Sequence, residues 1–216
     1  NPTLNELRKK GIRVRSEISI GWEHLNHIPW VGITGTNGKT TVTHLLHHVL
    51  KSKGIRSAIG GNVGNPACDI ALQIKSSKKP LPKWLVMEMS SYQIEAAPEI
   101  KPAIGIWTNL TPDHLERHGT LDKYRAIKAS LLHESKIKIF NADDKDLRNQ
   151  RKKWEGGIWV STYYEGVEND SNDYWIDKDG EVISKGQRLF NSNKLTLPGK
   201  HNLQSLLMVT AAASQI

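Results

Sequence analysis

Apolar and polar residues along the chain form two textures, and the change between them comes after about residue 154. Before it, short apolar runs alternate with longer stretches of helical spacing. Trp30-Val31-Gly32-Ile33-Thr34 is a short apolar run ending in a glycine-rich turn, the pattern of a buried parallel strand. Over 40–53 the apolar positions Val42, Leu45, Leu46, Val49 and Leu50 repeat at helical spacing, and Gly54 stands where a helix stops. Ser57-Ala58-Ile59 leads into a second glycine turn over 60–64, then a predicted helix over 66–74 and a polar loop over 75–83. The stretches 84–87, 103–107 and 137–140 predict further strands, and 121–134 predicts a helix.

Ahead of this alternation, the pattern predicts a helix over 4–10, a strand-like stretch over 12–20 and a short helical segment near Trp22. These pieces are too few to enclose a core, so 1–29 is expected to be a linker or the tail of a preceding domain. The chain starts with Asn1, which raises the expectation that it was cut from something longer. Beyond 154, strands are expected over 158–161, 174–177, 181–184 and 194–197, separated by Asp-, Asn- and Gly-rich turns, with a closing helix over 202–215. Strand–helix alternation followed by hairpins predicts an α/β domain over 30–216. Its sheet should be mostly parallel and of phosphate-loop type, flanked by helices, with a small antiparallel annex near the C-terminal third.

Composition narrows the functional classes. No apolar run reaches the roughly 18–20 residues that cross a bilayer, so no membrane partner is expected. Cys68 is the sole cysteine, which excludes an internal disulfide and points to a reducing, cytoplasmic home. The formal charge of +8 suits an anionic partner such as nucleotide phosphates. Nucleic acid is not expected, because the seven tryptophans are scattered without the spacing of a base-stacking platform.

The sharpest motif lies between the first predicted strand and its helix: Gly35-Thr36-Asn37-Gly38-Lys39-Thr40-Thr41. Glycines let successive backbone N–H groups turn toward a phosphate, and the helix N-terminus adds partial positive charge. Lys39 has the reach for terminal phosphates, and the Thr40 hydroxyl suits Mg²⁺. The spacing departs from the strict Walker form, since Ile33 stands five before Gly38.

This loop resembles the ATP loop of the Mur ligase and folylpolyglutamate synthase superfamily, and further stretches extend the likeness in family order. The runs 60–67 (GGNVGNPA) and 88–95 (EMSSYQIE) look most like the D-glutamate-adding branch. The run 108–118 (TNLTPDHLERH) resembles the family's metal-site stretch, 124–128 (YRAIK) the segment with its carbamylated lysine, and 197–202 (LPGKHN) the segment near adenine. The resemblance implies the family's central ATP-binding domain, preceded by a UDP-gripping domain, of which 1–29 is the remnant, and followed by a C-terminal domain absent here. It implies an ATP-dependent amide ligase, expected to be a monomer, of peptidoglycan precursor synthesis. Such a ligase adds D-glutamate to UDP-N-acetylmuramoyl-L-alanine through an acyl phosphate. The alternatives are another Mur or folylpolyglutamate-type ligase, or a nucleotide-binding fragment without ligase activity.

Residue roles follow from the same resemblance. Glu88 is assigned with Thr40 to a Mg²⁺ near the β- and γ-phosphates; by itself it is a carboxylate at a strand end, where ligands or a mere loop cap belong. His114 is assigned to a second Mg²⁺, although imidazole is an unusual ligand for that ion and the residue otherwise reads as a surface histidine beside Asp113. Lys128 reads as a surface lysine from its neighbours; the family role makes it a carbamate, which requires a neutral amine. Catalysis is expected from Lys39, Lys128 and His114. Asn62, Ser90 and Ser91 are candidate substrate contacts, and Asn202 is the candidate adenine contact. Ser205 stands where the family commonly carries a second asparagine. The spaced His44, His47 and His48 lack the carboxylate of metalloprotease helices, and 141–144 is expected to cap the following helix.

Overall fold

The computed structural model describes residues 2–78, 80–163, 172–195 and 199–216. Among these the elements run α1 (Pro2–Lys9), α2 (Glu17–Leu25), β1 (Trp30–Thr34), α3 (Lys39–Ser52), β2 (Ser57–Gly61), α4 (Ala67–Ser76), β3 (Trp84–Glu88), α5 (Ser91–Ala96) and β4 (Ile104–Trp107). The chain continues through α6 (Leu115–His118), α7 (Leu121–His133), β5 (Ile137–Asn141), α8 (Lys145–Asn149), β6 (Ile158–Ser161), β7 (Tyr174–Ile176), β8 (Glu181–Ser184), β9 (Gln187–Asn191) and α9 (Lys200–Ala213).

The strands form one sheet in the order β2-β3-β1-β4-β5-β6-β7-β8-β9. Pairing is parallel from β2 through β7, and antiparallel for β7–β8 and β8–β9. The expected annex is therefore a continuation of the main sheet. Side chains of a strand alternate between faces, so β1 sends Trp30 to one core cluster and Val31 and Ile33 to the other. On the second face, α3 contributes Val42, Leu46 and Leu50, and α9 contributes Leu207, Met208 and Ala211. On the first, Ile18 and Leu25 of α2, Ile70 of α4 and Leu131 and Leu132 of α7 close over Leu85, Met87 and Trp107.

Two expected strands are corrected. The stretch 12–20 imitates a strand through alternating Ile12, Val14, Ile18 and Ile20, but α2 occupies Glu17–Leu25. The Ser16 side chain accepts from Ser19 N and caps the helix, Glu17 sits favourably in its first turn, and Ile18 and Leu25, two turns apart, are buried together. Near the end, the last strand among the described residues is Gln187–Asn191, and residues 194 and 195 of the stretch expected over 194–197 are not in a strand. Lys185 and Gly186 both have positive φ, 50° and 74°, the geometry of a two-residue hairpin turn that pairs Ser184 with Gln187. Ser192–Lys194 then forms a single 3-10 turn, while residues 196 and 197 of the expected strand lie outside the described residues.

Candidate phosphate-loop site

Parallel strands carry their C-terminal ends to one side of a sheet, and there the predicted residues gather. Between β1 and α3, Gly35 has φ 147° and Gly38 has φ 78°. A Cβ on Gly35 would fall 1.9 Å from Thr108 Oγ1, so only glycine lets the loop lie against the end of β4. Gly38 is the N-cap of α3 and has no side-chain capping bond, leaving the first-turn N–H groups to donate to an anion.

Lys39 folds back over the loop, and its Nζ donates to Gly35 O at 3.0 Å and Thr36 O at 2.8 Å. Burial lowers its pKa, opposed by Glu88 and Asp113. The Thr40 hydroxyl donates to Glu88 Oε2 at 2.8 Å, and Asn62 Nδ2 donates to Glu88 Oε1 at 2.9 Å. Glu88 is only 2% exposed, at the end of β3. Gly61 makes this possible: a Cβ there would meet Glu88 O at 2.2 Å, so glycine at the end of β2 brings Asn62 within reach.

Lys128 is not a surface residue. It is 1% exposed, donates to Gly35 O at 2.8 Å and lies 4.6 Å from the centre of the Tyr124 ring. Burial, aided by the charge of Lys39, lowers its pKa to about 7, against weaker opposition from Asp113 and Glu88. One loop carbonyl, Gly35 O, thus accepts from both catalytic candidates, Lys39 and Lys128.

The other candidates stand differently. His114 occupies an exposed turn in left-handed conformation (φ 51°), with Nε2 3.5 Å from Asp113 Oδ2 and its ring against Tyr92. Ser90 forms the N-cap of α5 in a capping box with Gln93, and the buried Ser91 hydroxyl meets His118 Nε2 at 3.0 Å. Asn202 lies in the first turn of α9 and does not line the cavity between α9 and the phosphate loop; His201, Gln204 and Ser205 do. Residues 197 and 198 of the adenine-segment motif lie outside the described residues. Asp144 caps α8 through Leu147 N, as expected for 141–144.

Sequence reasoning missed Asn109. Its Oδ1 accepts from Thr36 N at 3.1 Å and Asn37 N at 2.8 Å, and its Nδ2 donates to Asn37 O at 3.1 Å. Thr108 Oγ1 adds a bond to Asn37 O, and Thr36 Oγ1 exchanges bonds with the backbone of Thr111. The segment after β4 therefore clasps the loop. Its signals were a position just past a predicted strand end and a place in the run 108–118 already singled out by resemblance.

Thr40 and Glu88 offer a hydroxyl and a carboxylate, the hard oxygen donors that Mg²⁺ prefers; this ion commonly takes one or two protein ligands and completes its shell with water and phosphate. That pair fits the ion. Among the described residues no three His, Cys, Asp or Glu side chains converge as a metal site.

Fold and site together define a phosphate-loop α/β domain with an acidic residue presented at the end of a neighbouring strand. Residues 33–213 match the Mur ligase middle domain, and the chain belongs to that family, whose ligases are ATP-dependent. It is 58% identical over its whole length to the UDP-N-acetylmuramoylalanine–D-glutamate ligase of Prochlorococcus marinus (strain MIT 9313), covering 47% of that protein. It is 57% identical to the ligase of the same name from Synechococcus sp. (strain CC9605), covering 99% of this chain and 46% of that one. The solved UDP-N-acetylmuramoyl-L-alanyl-D-glutamate–2,6-diaminopimelate ligase superposes with a TM-score of 0.71 at 25% identity, over 92% of this chain and 47% of the other. The chain thus spans about half the length of the curated relatives it matches.

Proposed function

We propose that the chain is the central ATP-binding domain of a ligase that adds D-glutamate to UDP-N-acetylmuramoyl-L-alanine in peptidoglycan precursor synthesis. In this reading residues 30–216 form the domain, and 1–29 lead into it from a UDP-binding domain, with α2 packed onto its core. The carrying observation is the convergence of Lys39, Thr40, Glu88 and Lys128 on one glycine loop. The names of relatives at 57–58% identity supply the amino acid and the acceptor. In this reading the protein works in the cytoplasm as a monomer, without nucleic-acid or membrane partners.

The substrate carboxylate takes the γ-phosphoryl group of ATP, and the amine of D-glutamate attacks the acyl phosphate. Both steps crowd anions together, so the chain's task is charge neutralisation and positioning. Loop N–H groups of Gly35 to Thr41 seat the phosphates, and Lys39 exchanges its loop carbonyls for phosphate oxygens. Asn202, in the first turn of α9, would reach the nucleotide from outside the cavity that His201, Gln204 and Ser205 line. Asn62, Ser90 and Ser91 lie toward the acceptor; Asn62 also orients Glu88. Thr40 and Glu88 would hold Mg²⁺, which supplies electrostatic stabilisation of the transferring group. Lys128 is suited to carbamylation, since burial holds its amine near neutrality, and as a carbamate it would join His114 in holding a second ion.

Three experiments test this reading. The full-length ligase is offered UDP-N-acetylmuramoyl-L-alanine, ATP and a panel of amino acids. Phosphate release confined to D-glutamate supports it, and preference for another amino acid or for a folate acceptor overturns it. The 216-residue chain alone binds Mg-nucleotide weakly and forms no amide. Incubation with ¹³C-labelled bicarbonate yields a carbamate carbon resonance that Lys128→Ala removes; an identical resonance in the variant removes the carbamylation.

A further inference from the structure

Beside the phosphate loop, Asn37, Gly38 and Thr41 share a cavity of about 210 Å³ with the first turns of α9. Most of its polar side chains are already committed. Asn109 spends its amide on the loop, and Thr108 Oγ1 donates to Asn37 O. Asn141 donates to Thr108 O and accepts from Asp143 N. Ser205, which replaces the family's second asparagine, donates back to His201 O within its own helix.

Gln204 differs. Its Nε2 donates to Asp143 Oδ2 at 3.0 Å. Asp143 is itself fixed, accepting from Ser161 Oγ, Thr162 N and Thr162 Oγ1 across the ends of β5 and β6. An ionised carboxylate only accepts, so it dictates which way the amide is turned: nitrogen toward Asp143, carbonyl oxygen away from it.

We propose that Gln204, oriented by Asp143, reads the nucleotide base and selects adenine over guanine. The inference rests on the nucleotide-binding reading above and adds the atom that discriminates. Adenine presents an exocyclic amine where guanine presents a carbonyl oxygen. A fixed acceptor, Gln204 Oε1, bonds the amine and opposes the carbonyl, and a site built around one hydrogen bond rejects the analogue that lacks it. Asp143 is a positioning residue in this scheme, acting only through Gln204.

Calorimetric titration of the chain with MgATP and MgGTP tests it. The expected preference for ATP is roughly 10- to 100-fold, the worth of one well-placed base contact. Gln204→Met fills the same space without an acceptor and brings the ratio to within about threefold of unity, mainly by weakening ATP. Asp143→Asn leaves the amide free to turn, so the ratio falls while a hydrogen-bonding partner remains. Should Gln204→Met fold poorly, Gln204→Asn withdraws the amide by one methylene and gives the same loss. An unchanged ratio in the Gln204 variants, with binding still abolished by Lys39→Ala, overturns the base-reading role and leaves the phosphate loop standing. Absence of binding by either nucleotide overturns both.

Discussion

The parallel half of the sheet and its antiparallel extension are built from similar apolar strands, yet they bury different chemistry. At the ends of β1, β3, β4 and β5 the interior holds Thr34, Glu88, Thr108, Lys128 and Asn141, the last four tied to the phosphate loop or to the segment that clasps it. In the extension the buried residues are chiefly Tyr174, Ile176, Val182 and Ile183, and β9 leaves Leu189 and Phe190 exposed. Parallel strands bring successive loops to one side, where their polar groups meet; antiparallel strands alternate their ends and scatter them. Buried charge thus marks where the sheet works: Glu88 and Lys128 are enclosed beside the parallel strands, whereas the buried polar residues of the extension are the uncharged Ser184 and Ser192.

That contrast is broken or sharpened by perturbing each half. The largest effect is expected from Lys128. Its folded pKa of about 7 lies below the ordinary 10.5, so between those values the unfolded chain keeps a proton that the folded chain has lost. Stability should therefore climb with pH from about 7 toward 10.5, at up to ~1.4 kcal/mol per pH unit, and show no such slope below that window. Thermal melts of Lys128→Met should lack this component; a matching slope in the variant would place the titration elsewhere. Next, Lys39→Ala should weaken MgATP binding on the order of 100-fold by calorimetry while the melting temperature moves little. A large loss of stability with unchanged affinity would reverse the assignment.

In the extension the expectations invert. Val182→Ala, at a fully buried position, should cost about 1–2 kcal/mol in urea titration and leave nucleotide affinity unaltered. Phe190→Ser on the exposed edge should change stability by no more than ~0.5 kcal/mol. A shift in MgATP affinity from either would show that the extension communicates with the loop.

What could be read beforehand divides along physical lines. β1, the glycine loop and α3 were legible because an unbroken apolar run, a glycine turn and a helical repeat are local signals. Ser16 was the overlooked cue for α2: alternating isoleucines outweighed a capping serine in the reading, and packing against α4 decided otherwise. Lys128 looked like a surface residue because only non-local packing of α7 beneath the loop buries it, with its partner 93 positions away. Asn109 escaped for the same reason, holding peptides 72 and 73 residues distant.

The folded-back side chain of Lys39 carries a thermodynamic consequence. Its ammonium and two of the loop amides already have partners in the protein's own carbonyl and carboxamide oxygens. Nucleotide arrival is then a trade of acceptors: the measured affinity is the difference between two sets of contacts, and the heat released falls well short of what the final contacts alone would give. Removing the internal competitor while sparing the loop's shape is accordingly a route to tighter binding that touches no atom of the ligand.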